Sequence, residues 1–299
     1  MPNASAILLR VALGLNLALS MTCGLAALVF APSIAEMTGA GPSWVISGIG
    51  VGLLVFSTGI AWTLVRLRIG QALLVSAFDL LWVLATLPLP FVPGFLTPVG
   101  ATLVLIIAMA VGMLGVLQLA GVRVLLTEGT EPGHYRHCIR VRSLSDPEKL
   151  WQVIRDLGAM SRYSAGLSAS RLEGGSEVAP GSVRVCTNTQ GQSWAEEVER
   201  LDDGARSVFL RFRSEADDFP FPLAALSGGW AVTPDTPDGA FVDVWWSVTP
   251  KQRRFGWLIV ALMTISLDRD VPKIVAAMEA EAMGERVSLA ARRPALAYC

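Results

Sequence analysis

The chain has 299 residues, with 24 Lys and Arg, 25 Asp and Glu, and a net charge of −1 at pH 7. This balance, without a basic block, gives no reason to expect nucleic acid as a partner. Only six of the charged residues lie before residue 127. An ordinary water-soluble domain is therefore excluded for the first part of the chain, whereas the rest has the charge density of a soluble domain.

The first part contains three long uncharged segments. They have 25, 29 and 43 residues and span 11–35, 37–65 and 80–122. A helix needs about 20 apolar residues to cross a bilayer, and four prolines between residues 88 and 98 divide the third segment. The pattern predicts a domain of residues 1–126 with four transmembrane helices, near 6–31, 44–65, 69–87 and 99–122.

The positive residues predict the orientation of these helices. Arg10 begins the first helix, Arg66 and Arg68 follow the second, and Arg123 ends the fourth, while the other connections contain no Lys or Arg. Positive residues favour the cytoplasmic side. We therefore expect a multi-pass protein of the bacterial cytoplasmic (inner) membrane, with both termini and the soluble domain in the cytoplasm.

Small and polar residues interrupt the apolar pattern. Glycines let helix backbones approach closely, within the bundle, with a membrane-protein partner or in a homo-oligomer. They are Gly48, Gly50, Gly52, Gly59, Gly112 and Gly115. Asp79 falls near the middle of the third helix, with Asn16 at similar depth. Because a charge is costly in lipid, we expect Asp79 to face the interior and find a partner, either as a proton or ligand site or as a packing residue.

The cysteines and histidines form no metal motif. The four cysteines have no paired spacing, and we expect reduced thiols, which fits a cytoplasmic domain. They are Cys23, Cys138, Cys186 and Cys299. His134, His137 and Cys138 form an H-x-x-H-C cluster that could bind a metal, but it lacks a fourth ligand nearby, and we interpret it as part of the linker region. The sequence predicts neither a metal nor a cofactor.

After residue 126 the pattern becomes that of a soluble domain. We expect a linker at 127–135, a folded domain at 136–284 and a flexible tail at 285–299. Residues 136–142 alternate, with His137, Ile139 and Val141 on one side, which predicts a strand. A helix after Asp146 and a short helical segment follow. Six more strands are predicted near 167–173, 181–189, 192–201, 206–214, 226–233 and 239–248, and a long helix near 254–283.

This order predicts an α+β fold in which a curved antiparallel sheet grips the long C-terminal helix. In such a fold the concave face of the sheet faces the helix, and a space lies between them. In the strands near 206–214 and 239–248, alternation gives one apolar face. The periodicity fits a filled core and a ligand cavity equally well.

Several motifs resemble a known superfamily. Leu150-Trp-Gln-Val-Ile-Arg-Asp156, Tyr163, Pro180-Gly-Ser-Val-Arg184, Trp194-Ala-Glu-Glu-Val198 and Asp202-Asp203 are similar to the START-related helix-grip superfamily, particularly its polyketide cyclase/dehydrase and lipid-transport branch. The resemblance covers about residues 136–284. It implies a hydrophobic-ligand pocket under the long helix. The candidate ligand contacts are Trp151, Tyr163, Val208, Leu210, Phe212, Val242, Val244 and Trp246.

An enzyme of this fold needs polar groups that converge in the pocket. The candidates are Tyr163, Arg184, Trp194 and Glu197, with Arg184 holding an enolate or carboxylate and Glu197 acting as a base. Arg184 and Glu197 also fit ordinary solvent-facing strand positions, and no His follows residue 137. We therefore assign no catalytic residue.

Two apolar stretches fit a pocket rim that rests on a membrane. They place Phe219 and Phe221 in one stretch and Phe255 and Trp257 in the other, the second preceded by basic residues. Burial within the domain is the alternative.

These observations predict a membrane-tethered protein that binds a hydrophobic ligand, such as a lipid, an isoprenoid or a polyketide-like molecule, as carrier, sensor or presenter. Membrane lipid and this small molecule are the expected partners. The alternatives are a cyclase or dehydratase acting on a lipid-like substrate and a structural or assembly subunit of a larger membrane complex.

Overall fold

The structure is a computed structural model that describes residues 4–127, 133–175, 177–236, 239–291 and 295–297. The chain divides into two compact units, Met1–Leu125 and Leu126–Cys299. Most of the predicted linker at 127–135 lies outside the described residues, as does Cys299.

The first unit is helical. Its helices are α1 (Ala4–Val29), α2 (Ala31–Thr38), α3 (Ser43–Arg66), α4 (Ile69–Thr86) and α5 (Pro98–Leu126), with a 3-10 helix at Leu89–Phe91. Four segments are long and apolar enough to cross a membrane, by length and composition: Ala6–Val29, Ser43–Arg66, Ile69–Phe91 and Pro98–Leu126. The four long apolar helices predicted from the sequence are confirmed.

The short helix α2 was not predicted, since the sequence analysis ended the first helix at residue 31. Pro32 lies within the first turn of α2. Proline fits the first turn of a helix but disrupts the interior. The first helix therefore ends before Pro32, and a new helix begins there.

Helices α1 and α3 approach each other through glycines. A Cβ atom on Gly50 would lie 2.8 Å from the backbone oxygen of Gly24, so a side chain at this position would force the helices apart. The predicted glycines of α3 do not all lie at this contact. Gly48, Gly52 and Gly59 have open space where a Cβ would lie. The two predicted glycines of α5 lie in ordinary contact with α4.

The second unit is an antiparallel sheet with helices. Its strands are β1 (Tyr135–Ser143), β2 (Leu167–Leu172), β3 (Val183–Asn188), β4 (Ser193–Asp202), β5 (Ser207–Phe212), β6 (Leu223–Thr236), β7 (Gly239–Pro250) and β8 (Ala295–Ala297). The spatial order is β2-β3-β4-β5-β6-β7-β1-β8. Register shifts between β2 and β3, β4 and β5, and β6 and β7 mark irregularities of the bulge type, which bend and twist strands.

Helices pack on this sheet. They are α6 (Pro147–Arg155), a 3-10 helix at Leu157–Arg162 and the long α7 (Gly256–Ala282), which contacts β1, β7 and α6. Asp146 caps α6, because its Oδ1 accepts hydrogen bonds from the backbone N–H groups of Glu148 and Lys149, each at 3.0 Å. The predicted seven strands and closing helix are confirmed.

Two features of the second unit differ from the sequence analysis. Ala295–Ala297, within the predicted flexible tail, pairs with β1 as strand β8. Cys138 of β1 is disulfide-bonded, whereas Cys23 and Cys186 are free thiols. The expectation of four reduced thiols is therefore wrong for Cys138. Its position gave no signal, because a disulfide depends on which distant segments meet in the fold.

Candidate functional site

Alternate residues of β1 and of β5 to β7 form one buried apolar face of the sheet, which we call the inner face. Five of the predicted ligand contacts belong to it, each no more than 6% exposed: Val208, Leu210, Val242, Val244 and Trp246. Phe212 lies on the same side at the end of β5 and is partly exposed. The structure thus brings these predicted residues together on one surface.

A histidine and a carboxylate join the inner face to α7. His137 of β1 lies opposite Trp246 of β7, and their ring centroids are 5.0 Å apart. The Nε2 of His137 lies 2.8 Å from the Oδ1 of Asp268 in α7, and both side chains are buried. Because Asp268 belongs to α7, the inner face is the one that α7 covers.

This pair corrects the interpretation of His137 as a linker residue. The alternation in residues 136–142 already placed His137 with Ile139 and Val141, which are both buried. A histidine on an apolar strand face was thus the available signal. Asp268 was missed because its partner lies 131 residues away in the sequence.

The indole N–H of Trp246 is the unsatisfied donor of this site. Trp246 is 6% exposed, and its Nε1 has no hydrogen-bond partner within the described part of the chain. Gly228 lies between Leu210 and Trp246 in the same row of the sheet, so no side chain occupies that position of the inner face. A buried donor without a partner costs about 1–3 kcal/mol. An acceptor on a bound molecule would remove this cost.

A second buried polar cluster involves β3 and β4. The Nε of Arg184 donates a 3.1 Å hydrogen bond to the Oε2 of Glu196, and the Nη2 of Arg184 contacts the same oxygen. The Nε1 of Trp194 donates to the Oε1 of Glu196 at 2.7 Å. Burial lowers the pKa of Arg184, but the charges of Glu196 and Cys186 and the hydrogen bond to Glu196 together raise that pKa above its usual range. The cluster is a closed ion pair with both carboxylate oxygens occupied.

The structure does not bring the candidate base Glu197 together with Arg184. Glu197 lies on the opposite face of β4, where its Oε2 is 3.1 Å from Arg211 and 3.5 Å from Arg213. Its side chain is 30% exposed. Strand alternation explains this, because Glu196 shares the inner side with Trp194 and Glu197 does not.

The neighbouring thiol of Cys186 is poorly suited to act as a nucleophile. Burial, followed by the charge of Glu196, raises its pKa to about 12. Its Sγ lies 3.8 Å from the Oγ of Ser170. A thiol with such a high pKa stays protonated and unreactive at neutral pH.

Tyr163 and Trp151 lie elsewhere in the unit. Tyr163 is 3% exposed, and burial, together with the charge of Glu281 near the end of α7, raises its pKa. The Nε1 of Trp151 donates to the Oδ1 of Asp203 in the turn between β4 and β5, at 2.9 Å. The indole of Trp151 is therefore satisfied by the protein itself, unlike that of Trp246.

The predicted membrane-docking residues divide into two groups. Phe219 is 7% exposed, and its ring centroid lies 5.4 Å from that of Phe221. The ring centroid of Phe221 lies 5.2 Å from that of Trp194. These aromatic residues pack on the domain. Phe255 is 57% exposed, and Trp257 is partly exposed. The expectation of exposed anchors fits Phe255 best and does not fit Phe219.

The histidines and Cys138 of the predicted H-x-x-H-C cluster make separate contacts in the structure. His134 is near the hydroxyl of Thr249, at 3.2 Å, while His137 contacts Asp268. Cys138 is in a disulfide. No group of three or more potential metal ligands occurs among the residues that the structure describes.

Asp79 of the first unit takes part in a polar network. It is 3% exposed, and its Oδ2 accepts hydrogen bonds from Asn16 at 2.7 Å and from Gln118 at 3.1 Å. Gln118 was missed by the sequence analysis. The available signal was an amide in an otherwise apolar helix, where a polar side chain usually faces a partner.

The antiparallel sheet covered by one long helix defines the second unit as a helix-grip domain. Residues 141–282, somewhat under half of the chain, match the family model described as polyketide cyclase / dehydrase and lipid transport. The resemblance inferred from the sequence motifs is thereby confirmed. The helices of the first unit lie outside the matched residues.

The chain is similar to several known structures, including the following three, each with a TM-score below 0.5. Norcoclaurine synthase from Thalictrum flavum, in complex with dopamine and hydroxybenzaldehyde, is 12% identical over 55% of this chain and 98% of its own, with a TM-score of 0.42. A solution structure from Thermobifida fusca is 18% identical over 50% and 97%, with a TM-score of 0.41. A crystal structure from Thermus thermophilus is 14% identical over 50% and 97%, with a TM-score of 0.40. No curated protein matches the chain.

Proposed function

We propose that this protein is a membrane-tethered binding protein for a hydrophobic ligand, which it holds between the inner face and α7 as carrier, sensor or presenter. The observation that carries the proposal is the buried N–H of Trp246, which lacks a partner within the described residues and lies on an apolar surface. The family of the domain, which includes lipid transport, supports the same class of ligand.

The chemistry of the inner face defines the type of ligand. Aliphatic side chains such as Val244 and Leu210 favour hydrocarbon, since burial of each CH₂ group contributes about 0.8 kcal/mol. Trp246 offers one hydrogen-bond donor. The ligand is then a molecule that is apolar except for an acceptor, such as a carbonyl or ether oxygen, that meets the indole N–H.

The four apolar helices supply the tether. Arg10, Arg66, Arg68 and Arg123 place positive charge at one side of the four spans, which favours cytoplasmic termini. The disulfide at Cys138 is more typical of an oxidising compartment. We give the charges more weight, because they direct insertion. A reporter fused after the last residue is expected to stay cytoplasmic, and a periplasmic signal would reverse the orientation.

The outer side of α7 provides a surface for contact with lipid. Phe255, Leu258, Leu262 and Ile265 recur at helical spacing and are each 37–57% exposed. Three exposed cations precede them: Lys251, Arg253 and Arg254. Apolar side chains next to cations suit the interface of an anionic bilayer. Such contact would let a ligand exchange with the membrane without crossing water.

A pair of conservative substitutions tests the ligand site. Trp246→Phe removes the unpaired N–H and keeps an aromatic ring, whereas Trp245→Phe makes the same change on the opposite face of β7. Native mass spectrometry of the full chain should show retention of the co-purified apolar molecule reduced roughly tenfold in Trp246→Phe. Trp245→Phe should retain it as the wild type does.

Stability separates a ligand role from a structural role for Trp246. In the ligand-free protein, Trp246→Phe loses ring volume but also removes an unsatisfied donor, so its free energy of unfolding should be close to that of the wild type. Equal ligand retention by both variants, or no retained molecule in the wild type, would contradict the proposal.

The second candidate function is a cyclase or dehydratase that acts on a lipid-like substrate. The buried pair of His137 and Asp268 favours it, since a carboxylate that orients a histidine is a common arrangement for general acid–base catalysis. The pair lies beside Trp246, where the proposed ligand binds.

A further inference from the structure

A large cavity lies among the helices of the first unit. Its volume is about 920 Å³, toward the upper end of the range of about 300–1,000 Å³ for small-molecule sites. All five helices contribute to a wall that is mostly apolar. Representative lining residues are Ala27 of α1, Met37 of α2, Phe56 of α3, Trp82 of α4 and Ile107 of α5.

Asp79 supplies a carboxylate to this wall. Its Oδ2 accepts the hydrogen bonds from the amides of Asn16 and Gln118. Its Oδ1 makes no hydrogen bond to the residues that the structure describes, and Asp79 is among the residues that line the cavity. The cavity wall therefore carries one strong acceptor without a partner among the described residues.

The surrounding network holds this carboxylate in a fixed orientation. The Oγ of Ser20 donates to the Oδ1 of Asn16 at 3.2 Å, and the Oγ of Ser76 donates to the Oε1 of Gln118 at 3.0 Å. Both amides are thus oriented to donate to the same oxygen of Asp79. A role of Asp79 in helix packing accounts for its Oδ2, which accepts both amide hydrogen bonds. The Oδ1 remains able to accept a hydrogen bond from a molecule in the cavity.

We propose that this cavity binds a hydroxylated apolar molecule, a long-chain or polycyclic alcohol, with its hydroxyl on the Oδ1 of Asp79. A hydroxyl both donates and accepts, so it satisfies Oδ1 whether or not the carboxyl group carries a proton. The apolar wall accommodates the hydrocarbon. This site is separate from the inner face of the sheet and does not depend on the function proposed for it.

Photolabelling of the full chain in lipid nanodiscs tests the site. The probe is a long-chain primary alcohol that carries a diazirine, and the labelled peptides are located by mass spectrometry. Gly52 lines the cavity and has open space beside it, so Gly52→Leu places a side chain in the cavity without a backbone clash. Gly59→Leu is the matched control, since Gly59 lies two turns along α3 with equally open surroundings and is not a lining residue.

We expect the wild type and Gly59→Leu to be labelled on peptides that line the cavity. Labelling of these peptides in Gly52→Leu should be roughly tenfold lower. A second measurement tests the hydroxyl. The unlabelled alcohol should compete roughly tenfold better than the hydrocarbon of the same skeleton, because the hydrocarbon can neither donate to Oδ1 nor accept from it. Diacylglycerol and a free prenyl alcohol, tested separately as competitors, distinguish a lipid source of the hydroxyl from a free one.

Two results would overturn the proposal. Equal competition by the alcohol and the hydrocarbon of the same skeleton would mean that the cavity holds hydrocarbon without recognition by Asp79. Equal labelling of Gly52→Leu and Gly59→Leu would place the probe on the outer lipid-facing surface. Neither result bears on retention by the inner face, because that is measured with substitutions at Trp246 in the other unit.

Discussion

The two units of this protein both bury polar groups, but they arrange them differently. In the helical unit, Asn16 and Gln118 converge on one oxygen of Asp79 and hold it at the wall of an apolar cavity. In the sheet unit, His137 and Asp268 satisfy each other, and the indole of Trp246 beside them has a donor without a partner in the described chain. One unit offers an acceptor and the other a donor. The comparison shows why the two proposals differ: each assigns recognition to one polar group that lies next to apolar side chains, an acceptor in the helical unit and a donor in the sheet unit.

The largest effect is expected from a charge on the inner face. Trp246→Arg or Val244→Asp places an unpaired charge among buried aliphatic side chains, which costs several kcal/mol. Both should abolish retention of the apolar molecule by the full chain, measured by native mass spectrometry.

The control for these variants is Trp245→Arg on the outer face of β7, which should retain the ligand. Circular dichroism establishes that each variant is folded. Wild-type retention in a folded Val244→Asp protein would contradict the assignment of the inner face.

The next largest effect concerns two adjacent glutamates. Glu196→Ala leaves Arg184 as an uncompensated buried charge, so it should destabilise the sheet unit by about 3–5 kcal/mol. Glu197→Ala removes a partly exposed pair with Arg211 and should cost about 1 kcal/mol or less. Denaturant unfolding of the full chain in detergent checks the difference. Similar losses in the free energy of unfolding for both variants would contradict the description of Arg184 and Glu196 as a buried ion pair.

A smaller effect is expected at the pair that favours the enzyme. Asp268→Asn weakens the hydrogen bond to His137 and should cost about 1–3 kcal/mol, whereas Asp270→Asn, at a partly exposed position, should cost about 1 kcal/mol or less. A carrier would keep its ligand in Asp268→Asn. If the wild type converts the bound molecule to a product of different mass and Asp268→Asn does not, the enzyme hypothesis is the better one.

The smallest effect is expected on the outer side of α7. Leu262→Gln removes an apolar side chain from the exposed row, and it should reduce labelling of α7 by a photoreactive anionic lipid roughly fivefold. Leu144→Gln changes an equally exposed leucine outside that row. If both variants are labelled like the wild type, the row does not contact the bilayer.

The sequence predicted the sheet well because strand alternation and turn residues are local signals. The strand predicted near 239–248 is β7, Gly239–Pro250, and its predicted apolar face is the buried one. The helix predicted near 254–283 is α7, Gly256–Ala282. Local patterns determine these elements and their faces.

The partners of polar residues were not predictable in the same way. Alternation showed that His137 shares a face with Ile139, but it contained no information on Asp268, which comes from a distant helix. Glu197 was named as the candidate base and Glu196 was not considered, although strand alternation places Glu196, and not Glu197, on the same face as Trp194. The cavity beside Asp79 depends on how five helices pack, which composition does not specify.

Native mass spectrometry of the gently extracted full chain tests the central claim most directly. Our account predicts one apolar molecule that stays bound in Gly52→Leu, where the helical cavity is filled, and is absent in Val244→Asp. A wild-type protein that carries no such molecule, or one whose added mass is lost in Gly52→Leu and kept in Val244→Asp, would contradict ligand binding by the helix-grip domain.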